Sequence, residues 1–294
     1  APAAYLRTLP SSLVSTALEY GLKYNREKTG IRLYANDRQA SAITGPEYGR
    51  ISNCEVAEAV GAMADSSHGD HRWKVPGVMD WRTLVYDPHT PVTKETTTLF
   101  CNDRSMFVFL CQDLAPIEIG RLPNGEPDLV FRGFYVTNSE TGAGSLRIGV
   151  MYLRGVCCNR ILWGVENFEE ITMRHSKYAP ERFLEECRPA LESFSNGSAL
   201  TFQRGVEMAR EAKVANDKDE ALVWLQAREV GKKRSMDIFD AIMKEERGGD
   251  ESDTRPFSAW DMAQGITAVA RLEPNHDTRF DLELIAGKVL DKVA

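Results

Sequence analysis

Apolar residues first recur at helical spacing near the start of the chain. Leu13, Val14, Ala17, Leu18 and Leu22 follow Ser11-Ser12, which predicts a serine-capped helix ending by Gly30. Residues 31–35 and the segment around Ala42-Ile43-Thr44, stopped by Gly45-Pro46, read as two short strands. Ser52-Asn53-Cys54-Glu55 has the form of a capping box, with the serine hydroxyl accepting from a backbone amide and Glu55 reaching back. The helix it opens buries Val56, Val60 and Met63. Residues 65–94, rich in His, Gly, Pro and Asp, read mainly as a long loop.

From residue 95 to 157 the period falls to two. Segments 96–101 and 105–111 flank the hairpin signal Asn102-Asp103-Arg104, and Asn124-Gly125 marks another turn. Segments 129–137 and 145–157 flank a glycine-bearing turn at 138–144, and 171–175 reads as a further strand. Short successive turns favour an antiparallel meander over parallel crossovers. After Pro180, which suits a first helical turn, the pattern is helical, with Pro189 expected to interrupt or kink it. A long helix is expected over about 199–230, one capped by Ser235 with Ile238, Phe239, Ile242 and Met243 on one side, one from Ser258 to Arg271, and a last one near 279–292. Residues 248–256 read as a polar linker. The expected fold class is α+β, an antiparallel β-meander with flanking helices followed by a mostly helical C-terminal half. The regions are 1–178 and 179–294, able to pack as one domain.

With 43% hydrophobic and 27% charged residues the chain can bury a large core. No apolar run approaches a membrane span, and the first residues lack the basic-then-apolar form of a signal peptide, so a cytoplasmic, membrane-free protein is expected. None of the six cysteines forms a C-x-x-C pair, which disfavours a zinc ribbon. They read as reduced, mostly buried thiols, and the adjacent Cys157-Cys158 pair as packing rather than a redox site. The net charge of −7 argues against general polyanion binding. It is concentrated late: residues 179–294 carry 17 Lys/Arg against 23 Asp/Glu, while 141–165 hold Arg147, Arg154 and Arg160 and no carboxylate. An anion-binding surface is therefore expected in the first region, since local patches steer polyanions more than totals do.

Four stretches carry a resemblance to a known family. They are Tyr48-Gly49-Arg50-Ile51-Ser52-Asn53; Tyr135-Val136-Thr137-Asn138-Ser139 with Gly142, Gly144, Ser145, Leu146 and Arg147; Arg154-Gly155-Val156-Cys157-Cys158-Asn159 followed by Ile171-Thr172-Met173-Arg174-His175-Ser176; and Ser258-Ala259-Trp260-Asp261 with Ile266-Thr267 and the closing helix. In this order the chain resembles the phage/plasmid-like proteins grouped as domain of unknown function 932. Cys158 before Asn159 departs from that family's usual wording, and the 65–94 loop has no recognised counterpart in it. The resemblance implies a mobile-element setting and supplies no catalytic residues.

The candidate nucleic-acid-binding set is Arg147, Arg154, Arg160, Arg174, His175, Lys177 and Tyr152. Guanidinium forks suit phosphate oxygens, and Tyr135, Tyr152 and Trp163 suit base stacking. Arg147 and Arg154 differ in parity, so only a bulge near Gly149 or Gly155 would give them a common face. The plainer reading pairs these arginines with Glu140, Glu166, Glu169 and Glu170 on an ordinary sheet. The 138–144 turn offers amides to a phosphate but lacks a P-loop ending, so a hairpin turn is the simpler reading. His68, Asp70, His71 and His89 offer metal ligands in a loop that would preorganise them poorly, and Trp73 and Trp81 read as packing anchors. No nucleophile-elbow motif is present. The leading expectation is a non-enzymatic, cofactor-free protein that binds or anneals single-stranded DNA as a homo-oligomer. The alternatives are a structural or regulatory partner protein of a phage, and a metal-dependent hydrolase using the loop histidines.

Overall fold

The computed structural model describes residues 6–24, 32–35, 40–44, 48–66, 73–76, 79–80, 85–86, 91–92, 97–102, 104–122, 124–155, 159–163, 170–175, 179–250 and 252–293. The chain forms two compact units, 1–48 and 49–294. The strands from residue 99 onward and the helices after residue 178 thus belong to one unit.

The first unit holds helix α1 (Ser11–Lys23) and an antiparallel pair, β1 (Arg32–Ala35) and β2 (Ala40–Thr44). Pro10 stands at the N-cap of α1, with no side-chain cap bond, in place of the expected serine cap.

The second unit opens with α2 (Asn53–Ser66), and its capping box forms as the sequence predicts. Glu55 N–H donates to Ser52 Oγ at 3.1 Å, and Ser52 N–H to Glu55 Oε2 at 2.9 Å. Among the described residues the main sheet has eight strands, all paired antiparallel. At its centre lie β7 (Met106–Gln112), β9 (Pro127–Asn138) and β10 (Leu146–Arg154). Beyond β7 sit β3 (Trp73–Lys74) and β6 (Leu99–Cys101); between them in the chain, within the expected 65–94 loop, β4 (Met79–Asp80) and β5 (Val85–Tyr86) form a separate antiparallel pair. β8 (Ile117–Arg121) shares β9 with β7, and β11 (Asn159–Ile161) and β12 (Ile171–Met173) both pair with β10. The hairpins fall where turn residues predicted them, and Gly125 takes φ +84° in the expected turn.

The central strands differ from the period-two expectation. Every residue of β7 is buried, as is nearly every residue of β9 and β10. Helices cover both sides, so these strands have no solvent face. One face, with Phe134, Ile148, Val150 and Tyr152, meets Phe194 and Phe202. The other, with Phe107, Tyr135, Met151 and Leu153, meets Phe280 and Leu284. Gly149 makes the second face possible: a Cβ there would lie 2.3 Å from the Tyr135 ring, which lies across it.

The helical half comprises α3 (Ala179–Ser195), α4 (Leu200–Glu211), α5 (Lys218–Gln226), α6 (Lys232–Glu245), α7 (Ala259–Leu272) and α8 (His276–Asp291). α3 continues through Pro189. The single helix expected over 199–230 is divided. Ala212 turns extended, β13 (Lys213–Ala215) pairs with β14 (Phe257–Ser258), and Asp217 caps α5 by accepting from Glu220 N–H. Ser235 is buried inside α6, whose N-cap is Gly231, so it is not the cap expected. Ser258 does cap α7, in a full capping box with Asp261. Gly265 lets α7 approach α6, since a Cβ there would meet the Ile242 side chain at 2.3 Å.

A candidate anion-binding cavity

The sequence-derived arginine set does not converge. The register of β9 against β10 runs unbroken from Arg147 to Arg154, so no bulge brings these two side chains to one face. Arg147 is part-exposed on the α8 side, 3.7 Å from Glu170. Arg160 lies opposite Leu153 and is fully buried. Its Nε donates to Glu283 at 2.7 Å, with the guanidinium 4.5 and 4.7 Å from the Phe107 and Phe109 rings. Tyr152 is buried and stacks on Phe202 at 3.9 Å, which removes it as a base-stacking platform. Arg174 is exposed beyond β12, and the His175 carbonyl accepts from Gly49 N–H at 3.1 Å. Lys177, the loop residues His68, Asp70, His71, His89 and Trp81, and Cys157-Cys158 lie outside the described residues. Burial is the physical reason for the correction: a strand covered on both faces buries its arginines, and buried arginines take carboxylate partners.

Other residues were placed as the plainer readings had them. Trp73 is a packing anchor, edge-on to Phe134 at 4.9 Å. In the 138–144 turn, Ala143 N–H donates to Ser139 Oγ and Gly142 N–H to the Ser139 carbonyl, so those amides serve the hairpin. The cysteines depart from the expectation of mostly buried thiols: of the four described, Cys111 and Cys187 are buried while Cys54 and Cys101 are exposed.

What the fold does assemble is a cavity of about 1420 Å³ where the open ends of β8, β9 and β10 meet α4, α6 and α7. Seven cationic side chains line it: Arg121 from β8, Arg154 from β10, Arg210 from α4, Lys213 from β13, Arg271 from α7, and Arg247 and Arg255 from the α6–α7 connection. Among the described lining residues four carboxylates, Asp128, Glu245, Glu246 and Asp261, oppose them, and Glu118 and Asp253 pair with Arg121 and Arg255. The local balance is positive in a chain whose net charge is −7.

The cavity has two electrostatic layers. In the floor, Arg154 binds Asp128 through two parallel bonds of 3.0 and 2.8 Å and also donates to Glu246. Arg210 donates to the Ile119 carbonyl and lies 3.4 Å from Asp128. Arg271 joins Glu245 at 2.7 Å and Asn159 at 2.9 Å. Burial raises the pKa of Glu246 against the pull of Arg154, and burial lowers that of Arg210. At the rim the cations face water. Arg121 and Arg255 are 63% and 73% exposed; Arg121 pairs with the part-exposed Glu118 at 3.1 Å, and Arg255 with Asp253 at 2.6 Å, a carboxylate only 8% exposed that also meets Arg247. Lys213 is exposed with no carboxylate within 4 Å among the described residues. The exposed Arg121–Glu118 pair contributes about 0–1 kcal/mol.

A second cavity, of about 450 Å³, lies between the 138–145 turn and the start of α8. It holds Ser105, His276 and Asp277, a set no sequence motif revealed. Ser105 Oγ is 2.9 Å from His276 Nε2 and donates to Asp277. The carboxylate sits on the same side of the imidazole as the hydroxyl, 3.4 Å from Nε2. It therefore accepts the serine hydrogen bond itself and does not orient the histidine as a relay would. Burial lowers the His276 pKa.

A family model described as a domain of unknown function (DUF932) matches residues 43–271. The chain belongs to that family. Comparison with curated proteins and with solved structures finds no match. The stretches that carry the DUF932 likeness meet in space. Asn138 donates to the Ile51 carbonyl at 3.0 Å and to Asn53 at 2.8 Å, and Arg50 pairs with Glu140. At the other end, Arg154 and Asn159 reach Gln264, while Trp260 and Asp261 line the cavity. The cavity thus lies within the DUF932 region. Sequence reasoning found Arg154 but missed the six other cations. Arg210 and Arg271 end helices and Arg247 follows one, positions where a cation already complements the helix dipole and so signals no shared site. Among the described residues no cluster of three or more His, Cys, Asp or Glu suits a metal ion, and no helix is long and apolar enough to cross a membrane.

Proposed function

We propose that this DUF932 protein binds single-stranded nucleic acid through the rim of the basic cavity, in the DNA metabolism of a mobile element. The observation that supports the reading is the gathering, among the described residues, of seven cations around one cavity of an acidic chain, with Lys213 lacking a carboxylate partner there. The volume of about 1420 Å³ exceeds the roughly 300–1,000 Å³ of small-molecule pockets, which favours a polymer segment over a lone nucleotide. A concave site suits a strand that can bend into it better than a stiff duplex. Arg121, Lys213 and Arg255 take the phosphates, with Arg210 behind them. Trp260 is buried under Arg154 and Arg210 and offers no open face to a base, so recognition is by backbone and independent of sequence.

The test is fluorescence anisotropy with a labelled single-stranded oligonucleotide over a salt series. Three to four neutralised phosphates predict a log–log slope of about −2 to −3, at about 0.7 per contact. A variant carrying Arg121→Gln, Lys213→Gln and Arg255→Gln, all at exposed positions, is expected to bind at least tenfold more weakly and with a flatter slope. Salt-insensitive binding, or an unchanged affinity in the variant, overturns the proposal. Absence of binding at low salt, with a defined oligomer in light scattering, favours the alternative of a regulatory partner protein.

A further inference from the structure

The smaller cavity, of about 450 Å³, shares no lining residue with the basic one and falls within the roughly 300–1,000 Å³ range of small-molecule sites. It brings together a hydroxyl, a base and a set of open donors. Ser105 Oγ lies 2.9 Å from His276 Nε2, and its hydrogen rests on Asp277. Asn102 holds both partners: its side-chain oxygen accepts from Ser105 N–H at 2.9 Å, and its amide donates to Asp277 Oδ2 at 2.9 Å. Ser139 fastens the facing turn beside the hydroxyl, because its Oγ donates to the Arg104 carbonyl at 2.6 Å and accepts from Ala143 N–H at 3.1 Å. Gly144 and Ser145 follow in that turn and line the cavity, and their backbone N–H groups have no acceptor among the described residues. Arg104 is exposed on the same cavity, and its guanidinium has no hydrogen bond or ion pair among them. We propose that this cavity is a hydrolytic site, in which Ser105 is the nucleophile and His276 the general base toward a small carboxylic ester that carries an anionic group. The proposal is independent of the anion-binding reading of the basic cavity, so either can fail alone.

The serine hydroxyl has two acceptors within reach, and the chemistry selects between them. An ordinary imidazole is a stronger base than an ordinary carboxylate by about 400-fold, so the proton of the attacking hydroxyl goes to His276. Burial lowers the His276 pKa, which keeps the ring neutral and able to accept at neutral pH. Asp277, 3.4 Å from Nε2, stabilises the imidazolium once it forms; it acts on the charge of the ring, not on its orientation. Ser105 Oγ bonds to the ester carbonyl carbon as its proton passes to Nε2, and the carbonyl π pair moves onto oxygen, where the Gly144 and Ser145 N–H groups receive it. The bond from carbon to the alcohol oxygen then breaks, and the alcohol leaves with the proton from Nε2. Water, the second reactant, attacks the acyl carbon while its proton passes to Nε2. The carbon–Oγ bond breaks, Oγ regains that proton, and the carboxylic acid departs. Arg104 takes the anionic group of the substrate, assisted by Arg147, whose own contact with Glu170 is 3.7 Å. The half-buried Phe280 receives the apolar portion.

The experiment treats the whole chain with a fluorophosphonate probe, which bonds covalently to an activated serine, and locates the adduct by peptide mass spectrometry. We expect the adduct on Ser105, at a rate that His276→Asn lowers at least about hundredfold. The wild-type rate should rise with pH and reach half its plateau below the ordinary histidine value of about 6.5, since burial lowers the His276 pKa. Two p-nitrophenyl esters define the substrate. The anionic glutarate monoester should exceed the neutral butyrate at least fivefold in kcat/KM, and Arg104→Gln should remove the difference. No adduct on Ser105 of the wild type, a flat pH profile, no ester hydrolysis that Ser105→Ala removes, or equal labelling of His276→Asn overturns the catalytic role. The wild-type adduct and its pH profile decide the matter even where His276→Asn fails to fold. Equal kcat/KM for the two esters overturns the anionic substrate.

Discussion

Glu283→Gln probes the deepest electrostatic contact in the protein. Arg160 and Glu283 are each 1% exposed. Glu283 Oε1 accepts from Arg160 Nε at 2.7 Å and from Arg279 Nε at 3.0 Å, which ties β11 to α8. The substitution keeps the shape and removes the charge, leaving a guanidinium buried among Phe107 and Phe109 without its counter-ion. Breaking a buried pair costs about 3–5 kcal/mol. Attraction of the cation to the two rings persists and is worth roughly 0.5–2 kcal/mol, so the expected loss lies near the lower end, about 3 kcal/mol. Burial already lowers the Arg160 pKa to about 10, against the pull of Glu283. The guanidinium is therefore charged at neutral pH in the wild type. Urea denaturation followed by tryptophan fluorescence measures the loss; at an m-value of about 2 kcal/mol/M the midpoint falls by about 1.5 M. The pair is incompletely satisfied, since among the described residues Arg160 Nη1 and Glu283 Oε2 have no hydrogen-bond partner. Replacing both residues, Arg160→Met with Glu283→Leu, should therefore recover stability to within about 1 kcal/mol of wild type. A loss below about 1 kcal/mol for Glu283→Gln, or a double variant no more stable than the single one, refutes this account.

Gly149→Ala should cost about 1–3 kcal/mol by overpacking, because the new methyl meets the Tyr135 ring and threatens its 2.8 Å bond to Glu170; a denaturation midpoint equal to wild type would contradict it. His276 has its pKa lowered by burial, so the unfolded chain takes up its proton at higher pH than the folded one. Stability should therefore fall as pH drops below the unfolded value of about 6.5, and His276→Asn should make that fall shallower in denaturation midpoints between neutral and mildly acidic pH.

Local chemistry was legible in the residues themselves. The capping boxes at Ser52–Glu55 and Ser258–Asp261, the turns at 102–105 and 122–126, and the antiparallel order of the strands all follow from short-range donors, acceptors and backbone preferences. The parity of Arg147 and Arg154 likewise foretold their opposite faces, and the unbroken register kept them there. Where local signals were overridden, a distant partner did it: β14 pairs with β13 and ends the helix that the alanine-rich pattern of 199–230 would have continued. Solvent exposure was beyond the sequence. Arg154, Arg160 and Tyr152 look like surface residues of a half-exposed sheet until helices arriving from positions after 178 close over both faces and turn them into buried partners. The cavity arises the same way, from cations at 121, 154, 210, 213, 247, 255 and 271 that share no local pattern. Hydrogen bonds along the chain fix elements within a few residues of their donors. Which charges end up together depends on how those elements pack, and packing is settled by the whole apolar surface at once.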